Sequence, residues 1–306
     1  MVDDTETQRQ AEILRGLLYL ACPDAPTAAL NDTADAIAER AAEPEPPTHA
    51  VPEAGSLTTV RPGSDPARSL PRAELSSADL SGADLSSADL TGANLAHADL
   101  FDARLPGARL TRSELSYAYL THADLSGADL TGANLVHAYL TDARLRGAHL
   151  AGAHLSNARL FGAHLTRANL TGANLTGVEL GHADLTEADL TEADLSHAGV
   201  YEARLSRARL CRANLATAQL DQSDLTGANL TDANVTDTDL TDAYLTDADL
   251  TRARGLKLAP GIVWNLDTRW PTDDLAAAAL ARSDQIGPGT YRVRRGAAPS
   301  RSRVLL

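Results

Sequence analysis

This chain of 306 residues is short of what an ordinary globular core uses. It has 2 Phe, 2 Trp and 7 Tyr, so aromatics make up only 4% of it. Apolar residues nevertheless reach 43%, so the interior must be built from Leu and Ala, a bias that points to a repeat architecture. Cysteine is confined to Cys22 and Cys211. That excludes a disulfide framework and makes a reducing, cytoplasmic location the expectation. Lysine occurs once, at Lys257, and the net charge is −14. Such an excess of acid excludes a direct role on nucleic acid, whose phosphates would repel it, and favours basic protein surfaces, including those that hold DNA. No run approaches the roughly 18 apolar residues of a membrane span. Met1-Val2-Asp3-Asp4 is acidic where a secretory leader is basic.

What is abundant is a five-residue period. From Leu75 to Leu250 every fifth residue is Leu, with Val200 and Val235 the exceptions, which makes 36 consecutive units without an insertion. The residue two before each is Ala, except at Ser113, Val178, Ser223 and Thr238. Gly, Ser, Asp or His often stands two after it, and Thr or Ser usually sits between. Five fits neither the 3.6-residue helix nor the two-residue strand. It suits a chain that turns a corner every five residues, with Leu pointing inward and Ala beside it where a larger side chain would clash.

Ala83-Asp84-Leu85-Ser86-Ser87 and Ala93-Asn94-Leu95-Ala96-His97 resemble the A(D/N)LXX motif of the pentapeptide-repeat family. The resemblance implies an all-β solenoid: a right-handed quadrilateral β-helix with four units, or 20 residues, per coil. Thirty-six units would make about nine coils, a rod of about 43 Å at strand spacing. Each coil would contact only its neighbours, and the two ends would need caps.

Residues 20 apart should then stack, so the surface can be unrolled into columns. The face centred on Leu80, Leu100 and Leu120 carries nine acids, Asp79, Asp99, Asp102, Asp142, Glu179, Glu202, Asp221, Asp239 and Asp242, against one cation, Arg159. The adjoining face, centred on Leu75, Leu95 and Leu115, adds Glu74, Glu114, Asp194 and Asp237 with no cation. The remaining two faces balance six acids against six arginines and six against five. One half of the rod therefore holds −12 and the other −1. Down the balanced half run Asp84, Arg104, Asp124, Arg144 and Asp89, Arg109, Asp129, read as ladder partners rather than a basic ligand patch. Five of seven repeat aromatics, Phe101, Tyr119, Tyr139, Phe161 and Tyr201, share the most acidic face. They read either as a contact surface amid acid or as rings shielding backbone between coils.

The period divides the chain into four parts: residues 1–42, 43–72, 73–252 and 253–306. Residues 5–21 and 27–42 read as amphipathic helices, a helical hairpin. Thr5 and Gln8 form a capping box, and Ile13, Leu14, Leu17 and Leu18 fall on one face. Residues 43–72 read as a Pro-rich linker. Past Arg254, Trp264 and Trp270 are expected to cover the last coil, as a cap or as a dimer interface; relatives often pair through that end, which the resemblance adds to the second reading. A short Ala-rich helix should start at Thr272-Asp273-Asp274 and end at Gly287-Pro288-Gly289, and the arginine-rich tail from Arg292 to Arg303 should be mobile.

The sequence offers no catalytic constellation, metal site or cofactor. Of the nine histidines no two are 20 apart, and Cys211 has none beside it. His97 and His137 share a column two coils apart, about 9.6 Å, too far for one zinc with bonds near about 2 Å. A non-catalytic protein-binding module is expected. The resemblance implies a duplex mimic that binds DNA gyrase or another type II topoisomerase, as the quinolone-resistance and toxin-immunity members of the family do. A scaffold or spacer whose N-terminal helices hold a partner is the alternative.

Overall fold

The computed structural model describes residues 70–295; the two helices expected at 5–21 and 27–42 and the linker lie outside the described residues. From residue 71 the backbone turns every five residues, and single parallel bridges pair each residue before a central Leu with the one 20 further on. Four turns therefore close one coil. The bridges run from Glu74↔Asn94 to Asn234↔Arg254.

The backbone donors of one unit explain why the motif is needed. In Ala93-Asn94-Leu95-Ala96-His97, the Asn94 N–H donates to Ala73 O on the coil before, at 2.9 Å. Leu95 and His97 donate to Glu114 O and Ser116 O on the coil after, at 2.6 and 2.9 Å. Ala93 closes the corner by donating to Leu90 O at 3.0 Å. One N–H remains, that of Ala96, and the Asn94 side chain accepts it at 3.2 Å. All five donors are thereby satisfied. The preference for Asp or Asn before Leu is thus a local turn requirement: these side chains are short enough to reach the N–H two residues on. The residue two after Leu sits in the left-handed region, with φ of 58° at His97 and 65° at Gly82. Gly, Asn, Asp and His tolerate that region best, and the period supplies them there.

The interior is one stack of Leu and Ala, and from Leu90 to Leu250 the central side chains are 0–1% exposed. The non-Ala exceptions solve their own polarity. The hydroxyls of Ser113 and Ser223 donate to Leu110 O (2.8 Å) and Leu220 O (2.6 Å), and that of Thr238 to Leu215 O (2.7 Å). A buried hydroxyl with an acceptor costs little, whereas one without costs about 1–3 kcal/mol. The first coil is less covered: Leu70, Leu75 and Ala78 are only partly buried.

At the other end the ladder passes into a small cap. Strand β1 (Val263–Asn265) extends the stack, since Val263 bridges Tyr244, and Arg269 bridges Asp249. Helix α1 (Asp273–Ala281) follows, then β2 (Ser283–Gly287) and β3 (Thr290–Val293), in the antiparallel order β1-β3-β2. Thr272 caps α1 by accepting from Leu275 N at 3.3 Å, and Asp273 and Asp274 complement the helix dipole. Two expectations are corrected here. The helix does not run on to Gly287: it stops at Ala281, where Arg282 and the Ser283 hydroxyl close onto Ala278 O and Ala279 O. Ser283–Gly287 then pairs with β3, so Gly287-Pro288-Gly289 is a hairpin turn. Nor is the tail free from Arg292 onward. Arg292 lies in β3, the central strand, and Val293 is fully buried. Arg294 bonds Asp284 at 3.1 Å and Ala281 O at 2.6 Å.

Candidate functional site

The acidic face is built from three kinds of position, and the structure gives its carboxylates different work. Asp79, Asp99 and Asp239 precede a Leu and accept from the N–H of Ser81 (3.1 Å), Phe101 (3.0 Å) and Thr241 (2.9 Å). Ser81 also donates its hydroxyl to Asp79 at 2.7 Å, and these two bonds hold the Asp79 carboxyl below its ordinary pKa. Such turn acids serve the backbone as well as the surface. Glu114, on the adjoining face, is similar. Burial pushes its carboxyl up, but bonds from Ser116 and Asn134 outweigh that and lower it. Asp102, Asp142, Glu202 and Asp242 occupy left-handed corners, at φ of 53–58°; the Asp142 and Asp242 carboxylates lie against Gly162 and Gly261, and Asp102 and Glu202 are exposed. Glu202 lies 3.4 Å from His182 Nδ1, and Glu179 lies 3.8 Å from Arg159. Asp221 follows Leu220 and is half-buried. Asp242 is taken by the Arg295 guanidinium, which ties the last strand of the cap to the acidic face.

The five aromatic residues divide likewise. Tyr119 and Tyr139 stack on adjacent rungs, with ring centres 4.9 Å apart and planes 7° off parallel. Arg159, the next rung, lies 5.3 Å from the Tyr139 ring centre. Phe101 meets His122 edge-on at 5.6 Å, and His182 lies between Phe161 (5.0 Å) and Tyr201 (5.8 Å). Tyr201 covers backbone: a Cβ at Gly181 would stand 2.5 Å from its ring, so Gly181 has no side chain because the tyrosine lies across it. Phe101 (43% exposed), Tyr119 (49%) and Phe161 (41%) instead offer ring surface to solvent. Tyr201 thus covers backbone, while those three rings are open to solvent.

A third group escaped the column reading. His97, Tyr117 and His137 stack in sequence on the adjoining acidic face, at 5.0 and 4.9 Å. The 20-residue step would have found it had tyrosine been searched together with histidine. Among the described residues no group of three or more His, Cys, Asp or Glu is arranged to hold a metal ion, and no helix is long and apolar enough to cross a membrane.

On the balanced half, neighbouring coils are joined by ion pairs 20 residues apart: Asp189–Arg209 at 3.4 Å, Asp184–Arg204 at 3.8 Å, Glu192–Arg212 at 2.9 Å and Asp232–Arg252 at 2.7 Å. Their arginines are largely exposed, so each pair adds at most about 1 kcal/mol. Arginines committed to a carboxylate on the next coil serve register before they serve a ligand.

At the C-terminal end Trp264 is 3% exposed, stacks on Tyr291 (4.9 Å), meets Trp270 edge-on (5.5 Å) and donates its indole N–H to Ser283 Oγ (2.9 Å). Leu266 (68% exposed), Leu280 (53%) and Ile286 (49%) stand on the outside of this cap.

No curated protein matches the chain. Among solved structures it is similar to HetL, a pentapeptide repeat protein involved in heterocyst differentiation regulation from the cyanobacterium Nostoc sp. strain PCC 7120. The identity is 36%, over 60% of this chain and 84% of that one, with a TM-score of 0.33. A second pentapeptide repeat protein from Nostoc PCC 7120 is 32% identical over 38% of this chain and 80% of its own, at a TM-score of 0.29. QnrB1, a plasmid-mediated fluoroquinolone resistance protein, is 18% identical over 58% of this chain and 96% of its own, at a TM-score of 0.28. The model of the pentapeptide repeats matches in eight overlapping copies, from 69–107 to 218–254, that together run through residues 69–254. With that match over more than half its length, a turn every five residues and a ladder step of 20, the chain belongs to the pentapeptide-repeat family, whose members coil as right-handed β-helical solenoids.

Proposed function

We propose that this protein is a non-catalytic binding module that presents the acidic, aromatic half of its rod to a basic protein surface, one that ordinarily holds duplex DNA, as on DNA gyrase or a related topoisomerase. Members of the family are in general structural or binding proteins, which supports the coarser part of this reading. The observation that carries the finer part is the uneven charge. Two adjoining faces hold −12 while the other two hold −1, and exposed rings sit within the acidic half. A rod of about 43 Å at strand spacing equals roughly 13 base pairs of duplex at 3.4 Å each. The test is supercoiling by purified gyrase, with and without a quinolone, at two salt concentrations. Inhibition or protection that weakens with salt is the expected result; no effect over a wide protein concentration range refutes the gyrase assignment.

The scaffold alternative accounts for some of these acids without a partner. Asp79, Asp99 and Asp239 satisfy their own turns, a role a spacer needs as much as a mimic does. A spacer, however, gains nothing from gathering acid on one half.

The cap supports a companion proposal, a homodimer through the C-terminal end. Leu280 and Ile286 are exposed there, and β2 is the outer strand of the sheet. Light scattering should give twice the chain mass for the wild type, and the single mass for Ile286→Asp.

A further inference from the structure

One column of the acidic face runs Asp99, Tyr119, Tyr139, Arg159, Glu179, each bridged to the next. At its later end the chain shows a complete recognition unit for arginine. The Arg159 guanidinium lies over the Tyr139 ring at 5.3 Å, while its Nε faces Glu179 Oε2 at 3.8 Å. The ring face attracts the cation and the carboxylate stands at ion-pair distance from it.

The earlier end has the same parts. Tyr119 turns one face to Tyr139, and its other face looks toward Asp99. Aspartate is much shorter than tyrosine, and Asp99 is drawn back to its own turn by the Phe101 N–H at 3.0 Å. The outer part of that ring face is therefore uncovered, and Tyr119 is the most exposed aromatic of the repeat. Phe101, two residues after Asp99, also exposes its ring but leans on His122. A planar cation laid on Tyr119 would meet the Asp99 carboxylate with its donors.

We infer that Tyr119, with Asp99, is a docking position for an arginine side chain of the partner protein. This rests on the proposed role of the acidic half as a protein-binding face, and it names the contact. Arginine is singled out over lysine because its flat, weakly hydrated guanidinium stacks on a ring while keeping donors free at its rim. Nucleic acid bases also stack on rings, but here the Asp99 carboxylate and the net charge of the half repel their phosphates.

The test uses the full chain and two labelled Gly/Ser peptides of equal length, one with three arginines and one with three lysines, followed by fluorescence anisotropy. The arginine peptide should bind about 5-fold tighter than the lysine peptide, in line with a stacking contribution of about 1 kcal/mol. Tyr119→Leu should abolish that preference and Tyr119→Phe should keep it. The column also holds Gly199 and Gln219, so the coil accepts varied side chains and both variants should fold. Equal affinity for the two peptides, or a preference that survives Tyr119→Leu, overturns the inference. So does tighter binding of a single-stranded oligonucleotide that Tyr119→Leu removes. The gyrase assay does not depend on these outcomes, and an arginine preference seen without any effect on gyrase would separate this contact from that partner.

Discussion

Truncation of Leu160 to alanine should cost about 2–5 kcal/mol, and the same change at Leu75 well under half of that. Leu160 is fully buried between coils that cannot move together, because each coil is hydrogen-bonded to both neighbours through every corner. Removing its Cγ and two methyl groups leaves a cavity lined by leucines above and below and by the facing sides of its own coil. The ladder spacing prevents collapse along the axis, so the cavity term adds to the lost transfer energy. Leu75 lies in the first described coil and is only partly buried, so its surroundings can relax. Because solenoid stability is a sum of nearest-neighbour terms, denaturant titration of the two variants should separate them clearly. Equal losses would show that the rod melts as one unit in which position does not matter, contrary to the nearest-neighbour picture.

The repeat was legible because its register is arithmetic. Once Leu recurs every five residues and four units close a coil, the partner of any surface residue is the one 20 further on. Tyr119 stacked on Tyr139 and the Asp189–Arg209 pair follow from counting. The chemistry of single positions was less legible. Asp79, Asp99 and Asp239 look like outward charge in a column count, yet each spends an oxygen on the N–H two residues later. Only a census of backbone donors reveals that demand. Tyr201 looks like its neighbour Phe161 in sequence, but the missing Cβ of Gly181 lets its ring lie flat on the coil. Where the period ends, so does the arithmetic. The Arg295–Asp242 pair joins residues 53 apart in different architectures. The β2–β3 hairpin follows an Ala-rich run whose helical pattern carries no mark of its end at Ala281. Ser283 closes that end onto Ala279 O, and its hydroxyl is held by the Trp264 indole N–H, a contact that no local pattern encodes.

Combining Asp99→Asn, Asp102→Asn, Glu179→Gln and Glu202→Gln should weaken binding to a basic partner by about 100-fold at low salt while leaving the fold intact. The fold should survive because each substitution keeps the bond or conformation its position needs. Asparagine already accepts the turn N–H at Asn94, as Asp99 does, and Asn157 already occupies a left-handed corner at φ 56° like that of Asp102. Glu179 and Glu202 lose charge toward Arg159 and His182, exposed contacts at 3.8 and 3.4 Å, each worth at most about 1 kcal/mol. Binding should suffer because a third of the charge on the acidic half is removed from the coils that carry the exposed rings. Long-range attraction of this kind governs encounter and falls with ionic strength, since the screening length shortens to about 8 Å at physiological salt. The wild type and the variant should therefore converge as salt rises. Circular dichroism melts and a partner titration at two salt concentrations decide the matter together. An unchanged melt with lost, salt-dependent binding places function on the acidic half. Unchanged binding means that the acids serve the solenoid alone and that the partner reads another part of the chain.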